Sequence, residues 1–221
     1  MQRWATFDCY GTLIDWNAGI SGVLERLWGV ERAPELLERY HELEPEVEAE
    51  EYRGYGEVLT LTLERIAQEV GYGIPEGESG ILAQSLPTWP PFPEVPDALR
   101  ELRRRGWNLV ILSNTDRDLI LASEKQIGVP FDLTIVAEDV RSYKPAHAHW
   151  DRFFETATAE KEHHVHVAAS LFHDIAPAKE LGLRTVWINR LDEQADPEPD
   201  RELPDLSRLP DTLDELVPVA A

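Results

Sequence analysis

Two carboxylates, an amine, three hydroxyls and an amide follow short apolar runs in this chain of 221 residues. Asp8 and Thr12 follow Arg3 to Phe7, Ser113 and Asn114 follow Leu109 to Leu112, Lys144 follows Leu133 to Val136, and Ser170 and Asp174 follow His166 to Ala169. A carboxylate beside a glycine turn, kept ionised and positioned by an ammonium, is a nucleophile for an electrophilic centre. Asp8 fits that part, with Lys144 as its cation. A second carboxylate across the same mouth is a general base for the water that would resolve the resulting ester, which fits Asp174. Taken singly, Asp8 and Asp174 read equally well as turn or helix-cap residues. Four polar exits together favour chemistry.

The convergence requires the four runs to be neighbouring parallel strands. Short β-branched runs (Arg3 to Phe7, Leu109 to Leu112, Leu133 to Val136, His166 to Ala169, Thr185 to Ile188) alternate in the second half with segments of helical length (Pro96 to Arg105, Leu119 to Ile127, Ala146 to Ala157, Ala176 to Leu181). That alternation predicts an α/β fold with a buried parallel sheet and right-handed crossovers. In such sheets the ligand crevice lies beyond the carboxyl ends of the strands, where the polar residues fall. Between the first strand and the rest, residues from about Asp15 to Leu86 carry only helical periodicity, and Pro87 to Pro93 reads as a stiff connector. The acidic stretch Asp192 to Asp205 reads as a solvated loop.

Asp plus Glu number 42 against 21 Lys plus Arg, a net charge of −21 that repels phosphate backbones and anionic lipid. Nucleic-acid and membrane partners are therefore disfavoured. A site that handles anions must be built from the few cations available. No apolar segment approaches the roughly 18 residues of a membrane helix. The lone Cys9 forms no internal disulfide and the start of the chain lacks a signal-peptide pattern, so a cytoplasmic location is the expectation. His163, His164 and His166 invite a metal reading, but they precede their strand rather than follow it and are expected away from the mouth.

Phe7-Asp8-Cys9-Tyr10-Gly11-Thr12-Leu13, Leu112-Ser113-Asn114-Thr115, Tyr143-Lys144-Pro145 and Ser170-Leu171-Phe172-His173-Asp174 resemble, in order and spacing, the four motifs of the haloacid dehalogenase superfamily. The resemblance implies a Rossmann-like core of residues 1–14 and 89–221 and an inserted helical cap of residues 15–88. Most superfamily members are magnesium-dependent phosphatases, with a second acid two residues after the nucleophile and another four residues before the last Asp. Here Tyr10 and Ser170 hold those positions. The first motif is instead similar to the L-2-haloacid dehalogenase branch, which implies an aspartate nucleophile, no metal and no cofactor. A halide leaves without a proton, so the missing acid is expected.

A carboxylate nucleophile attacking a carboxylate substrate meets repulsion of about 4 kcal/mol at 4 Å and an effective dielectric near 20. By the resemblance, Arg39, 31 residues after Asp8, relieves it from the cap and cradles the halide with Asn114. Thr12 and Lys144 then orient Asp8, Ser113 binds the substrate carboxylate, and Tyr10 lines an apolar wall. Two positions depart from the branch. Ala169-Ser170-Leu171 stands where the branch has Ser-Ser-Asn, so Leu171 replaces the asparagine and leaves the hydrolytic water without its amide neighbour, and Trp150 replaces a tyrosine six residues after the lysine. His173, beside Asp174, is a candidate partner for that water. The implied reaction is metal-free hydrolysis of short 2-haloalkanoic acids through an aspartyl ester, with the haloacid and water as partners and a homodimer left open. A magnesium-dependent phosphatase on the same core and a catalytically silent binding protein remain as alternatives.

Overall fold

The computed structural model describes residues 2–219. Six parallel strands form one sheet in the order β3-β2-β1-β4-β5-β6, with β1 (Arg3–Phe7), β2 (Trp107–Ser113), β3 (Leu133–Val136), β4 (His164–Ala168), β5 (Arg184–Ile188) and β6 (Arg201–Leu203). The first strand of the sequence is thus central, paired with β2 on one side and β4 on the other. β2 and β4 are almost wholly buried, as strands covered on both faces must be. The order reverses at β1, so crossovers leave it in both directions and open a crevice at its carboxyl end.

Helices α5 (Val95–Arg104), α6 (Arg117–Ile127), α7 (Ala137–Val140), α8 (Ala148–Ala157) and α9 (Ala176–Glu180) connect successive strands, and α10 (Leu209–Leu216) closes the described chain. α10 is latched to the start of the sheet, where Asp214 accepts from Arg3 (2.5 Å), Arg105 (3.0 Å) and the Trp107 indole (3.0 Å). Two expectations need correction here. Part of the acidic stretch, Arg201–Leu203, is an edge strand rather than loop, because β5 offers it a free parallel partner. His164 lies inside β4 rather than ahead of it, and His166, expected away from the mouth, reaches Asp174 at 3.0 Å; both are fully buried.

Between β1 and α5 the chain forms α1 (Trp16–Trp28), α2 (Ala33–Glu50), α3 (Tyr55–Val70), α4 (Ile81–Ser85) and one short turn at Leu86–Thr88, with no strand of the sheet. α3 shows why this segment is helical. Val58, Leu59, Leu63 and Ile66 make one buried stripe, and Gly71 ends the helix at φ +70°. The start of α3 is fixed by the sheet layer: Asp116 accepts from the backbone N–H of Tyr55 (2.8 Å) and of Gly56 (2.9 Å). A carboxylate there satisfies orphan amides and meets the positive end of the helix. Gly19 in α1 lets the Trp89 ring lie against the helix backbone, where a Cβ would collide with it.

Trp150 is placed by packing and not by chemistry. It is fully buried among Val110, Leu112, Ile135 and Phe153, its ring edge-on to His166 at 5.2 Å, and it does not line the crevice. Its indole N–H has no hydrogen-bond partner. Trp150→Ala is expected to lower the free energy of unfolding by about 3–5 kcal/mol through the cavity it leaves. Trp150→Phe keeps an aromatic ring and removes the unpaired donor, so it should lose less; urea unfolding of both variants measures this.

Candidate active site

Asp8 continues the backbone pairing of β1, its N–H donating to Val167 at 3.1 Å. The chain then turns sharply through Gly11 at φ +88°, a conformation that side chains disfavour. The turn carries Thr12 back onto Asp8: its hydroxyl donates to Oδ2 at 2.8 Å and accepts the Ala169 N–H at 2.9 Å, tying the exits of β1 and β4 together. Lys144 comes from the loop between α7 and α8. Its Nζ donates to Asp8 Oδ1 (3.0 Å), Asp174 Oδ1 (2.6 Å) and the Leu112 carbonyl (2.9 Å), which uses all three ammonium protons. Asn114 holds that loop in place, accepting from Lys144 N at 2.7 Å and donating to its carbonyl at 3.0 Å. Its amide is therefore engaged in positioning the lysine.

Asp174 is also reached from inside the sheet. His166 Nε2 lies 3.0 Å from Asp174 Oδ1, and Thr6 Oγ1 lies 2.8 Å from both His166 Nδ1 and His164 Nε2. One donor order satisfies every contact, with His164 donating to Thr6, Thr6 to His166, and His166 to Asp174. Asp174 Oδ2 has no protein partner, and Asp174 lines the crevice. That is the geometry of a base with a lone pair to spare. Burial opposes its charge, but Lys144 and His166 outweigh burial and hold the carboxyl at about 2. Burial and Asp174 push Asp8 upward against the pull of Lys144 and Thr12. Lys144 itself is raised, since Asp174 and Asp8 overcome the cost of burying it. Cys9 beside the nucleophile candidate is fully buried, which raises its thiol and leaves it a packing role.

The crevice above these groups encloses about 510 Å³. Ser113, Asn114, Ser170 and His173 line it, as does the ring of Tyr10, which stacks on Tyr55 at 6.1 Å and turns its hydroxyl to Ser123 at 3.0 Å. Ser113 Oγ has no protein partner. Ser170 accepts the His173 N–H at 3.0 Å, and Leu171 packs inward with Ala168, Ile175 and Trp187. His173 is lowered to about 4, chiefly by burial, and is neutral at pH 7.

Arg39 does not reach the crevice. It forms a bidentate pair with Glu69 of α3 (2.7 Å at both contacts) and a third bond to Glu42 (2.6 Å), partly exposed on the outer face of α2. The reason is helical phase. His41, Glu44, Pro45 and Glu48 are the α2 residues that line the crevice, and at about 100° per residue Arg39 stands on the opposite side. Sequence reasoning overlooked Glu44 and Glu48, which a run of glutamates hides, although Glu44 lies one turn beyond the buried Tyr40. It also overlooked Asn189 and Arg190, at the exit of a fifth strand to which the same rule applies. Arg190 donates to the Thr12 carbonyl (2.9 Å) and to Glu94 (2.7 Å). His166 was legible only as part of a cluster assigned elsewhere.

The haloacid dehalogenase-like hydrolase family matches residues 3–182. Haloacetate dehalogenase H-2 of Moraxella sp. (strain B) is 29% identical over 189 residues, covering 83% of this chain and 84% of the relative. The (S)-2-haloacid dehalogenase of Pseudomonas sp. (strain YL) is likewise 29% identical, over 83% of this chain and 81% of its own. Among solved structures, L-2-haloacid dehalogenase from Xanthobacter autotrophicus with chloropropionic acid covalently bound superposes with a TM-score of 0.84 at 21% identity, covering 96% of this chain and 98% of the other.

Removing the shared ammonium tests the electrostatics. Lys144→Met leaves two buried carboxylates without their cation and is expected to reduce stability at pH 7 by about 3–5 kcal/mol. In the wild type, the depressed Asp174 contributes stability that is complete above its ordinary 3.8 and lost as pH falls through about 2. Without Lys144, burial raises both carboxyls and their ionisation opposes folding. The gap between the two proteins should therefore be small near about pH 3 and widen as pH rises, which urea unfolding across that range measures.

Proposed function

The chain belongs to the haloacid dehalogenase-like hydrolases, and from that premise we propose that it hydrolyses the carbon–halide bond of short 2-haloalkanoic acids without a metal. The observation that carries this reading is the pairing of two carboxylates by one ammonium, with Tyr10 where a second acid would serve a phosphatase. An Asp8 oxygen attacks the carbon next to the substrate carboxylate, the carbon–halide pair leaves with the halide, and the carbon inverts. Thr12 and Lys144 hold Asp8 at both oxygens, so its direction of attack is fixed before substrate enters. Asp174 then takes a proton from water, which adds to the carbonyl carbon of the Asp8 ester. Collapse of that adduct breaks the ester bond, the adduct's hydroxyl proton passes to the departing oxygen to give the 2-hydroxy acid, the Asp8 carboxylate returns, and Asp174 gives its proton to solvent.

The roles divide by position. Ser113, with its hydroxyl uncommitted, faces the substrate carboxylate, and the Tyr10 ring closes the apolar side. Ser170 and the neutral His173 flank the water beside Asp174, while Asn114 acts through Lys144. Residues 15–88 serve as the cap that covers the mouth. The substrate is a small molecule, with neither nucleic acid nor membrane as partner; no helix among the described residues is long and apolar enough to cross a membrane. The lone Cys9, which forms no internal disulfide, accords with a cytoplasmic enzyme.

Ion chromatography of halide released from chloroacetate, fluoroacetate and each enantiomer of 2-chloropropionate, with EDTA present, tests the reaction. Wild type should release halide and Asp8→Asn should lose at least about 10³-fold. Asp174→Asn should accumulate the ester, seen in the intact mass as the added acid less hydrogen halide. No release from any of these acids, together with magnesium-dependent phosphate release from phosphate esters, would overturn the reading.

A further inference from the structure

The wall facing Asp8 is acidic. Glu44 and Glu48 stand one turn apart on α2 and line the crevice, and both side chains are more than nine-tenths withdrawn from solvent. Glu44 accepts from Tyr55 at 2.8 Å, and Tyr55 in turn accepts from the Trp16 indole at 3.1 Å, so its carboxyl is held by the helical layer. Glu48 extends across the mouth: one oxygen lies 3.5 Å from Asn114 Nδ2 and 3.7 Å from His173 Nε2, at the exits of the two strands that flank β1. An in-line displacement by Asp8 sends the leaving group away from the sheet and toward this wall. Among the described residues, α1 to α4 contribute no lysine or arginine to the crevice lining.

Building on the dehalogenase reading, we infer that Glu48, backed by Glu44, meets the departing halide as a neutral carboxylic acid, donating a hydrogen bond where an arginine would offer a charge. The Asp8 oxygen–carbon bond forms as the carbon–halide bond breaks, and the halide keeps the bonding pair. Glu48 retains its proton, so the step balances without proton transfer. The same neutrality admits an anionic substrate, which ionised Glu44 and Glu48 would repel alongside Asp8 and Asp174.

The surroundings favour the protonated form of both acids below neutral pH. Burial raises Glu44 to about 7, with Asp8 adding to the effect and the Tyr55 hydrogen bond opposing it. Burial and then Glu44 raise Glu48 well above the usual carboxylate range, against the pull of Lys144 and Asn114. The groups facing the pair are Tyr40 on α2, Tyr55 on α3, Asp8 at the end of β1, and Asn114, Tyr143, Lys144 and His173 from the sheet layer. Tyr40 and Tyr55 are raised by burial and stay neutral, and His173 is also neutral at pH 7. Lys144 is the one cation in this set, and its protons are already shared among Asp8, Asp174 and Leu112.

The test is the pH profile of kcat/KM for chloroacetate in wild type, Glu48→Gln and Glu48→Ala, with Glu44→Gln as a second position. Wild-type activity should fall above neutral pH, and Glu48→Ala should lose about 10²-fold at pH 6. Glu48→Gln keeps an N–H donor that does not titrate, so it should recover part of that loss and abolish the alkaline fall. Glu44→Gln should move the fall to lower pH, because it removes the charge that Glu44 acquires above neutral pH and that raises Glu48. Equal loss in Glu48→Gln and Glu48→Ala, or an alkaline fall that neither position moves, would overturn the inference while leaving the dehalogenase reading intact. Bromide binding to Asp8→Asn, followed by calorimetry in buffers of different ionisation heat, gives a readout independent of turnover. Proton uptake with bromide above neutral pH that disappears with Glu48→Gln supports the inference, and binding without uptake overturns it.

Discussion

One ammonium shared between two buried carboxylates is the constraint around which the mouth of this sheet is arranged. Ions withdrawn from water are stable only when every charge has a partner and the spare hydrogen-bonding capacity is used. Lys144 meets that condition with Asp8, Asp174 and a backbone carbonyl, and nothing else is left for it to bind. Thr12 and His166 take up further acceptor capacity on the two acids, and Asn114 grips the lysine backbone at both ends. The result is a rigid set with one uncommitted carboxylate oxygen, Asp174 Oδ2. A nucleophile held at both oxygens and a base with an open lone pair are different outcomes of the same network.

The parts of this arrangement that follow from β-sheet geometry were legible in the sequence. β-branched runs separated by helical lengths fix a parallel sheet, and a parallel sheet gathers whatever follows each strand, so Asp8, Thr12, Ser113, Asn114, Lys144 and Asp174 could be placed at one mouth from order alone. The crossover to β5 obeys the same rule, and Asn189 and Arg190 would have been found by extending it. Inside a strand the argument is weaker. Alternation puts His166 on one face of β4 but says nothing of the side chain that closes over it, so its contact with Asp174 was hidden.

The helical layer was much less legible, for a reason of phase. A helix in a run of charged residues has no unambiguous inner face until its apolar stripe is known to within one position. α2 has its stripe at Leu36, Tyr40, Leu43 and Val47, and this turns Glu44 and Glu48 inward and Arg39 outward toward Glu69. Counting from the nucleophile could locate the helix but not its rotation. The acidic edge strand β6 escaped notice for a related reason: its pairing is decided by the open side of β5, not by its own residues.

The clasp between Asp116 and the first amides of α3 bears on the tempo of the protein. Two hydrogen bonds to a carboxylate, together with the bond from Tyr143 to the Arg53 carbonyl at 3.0 Å, join the helical layer to the sheet beside the crevice. Any parting of the two layers has to break those bonds and expose the positive end of a helix to water. The resistance to such a parting therefore comes from Asp116 and Tyr143, side chains that make or break no bond of the substrate.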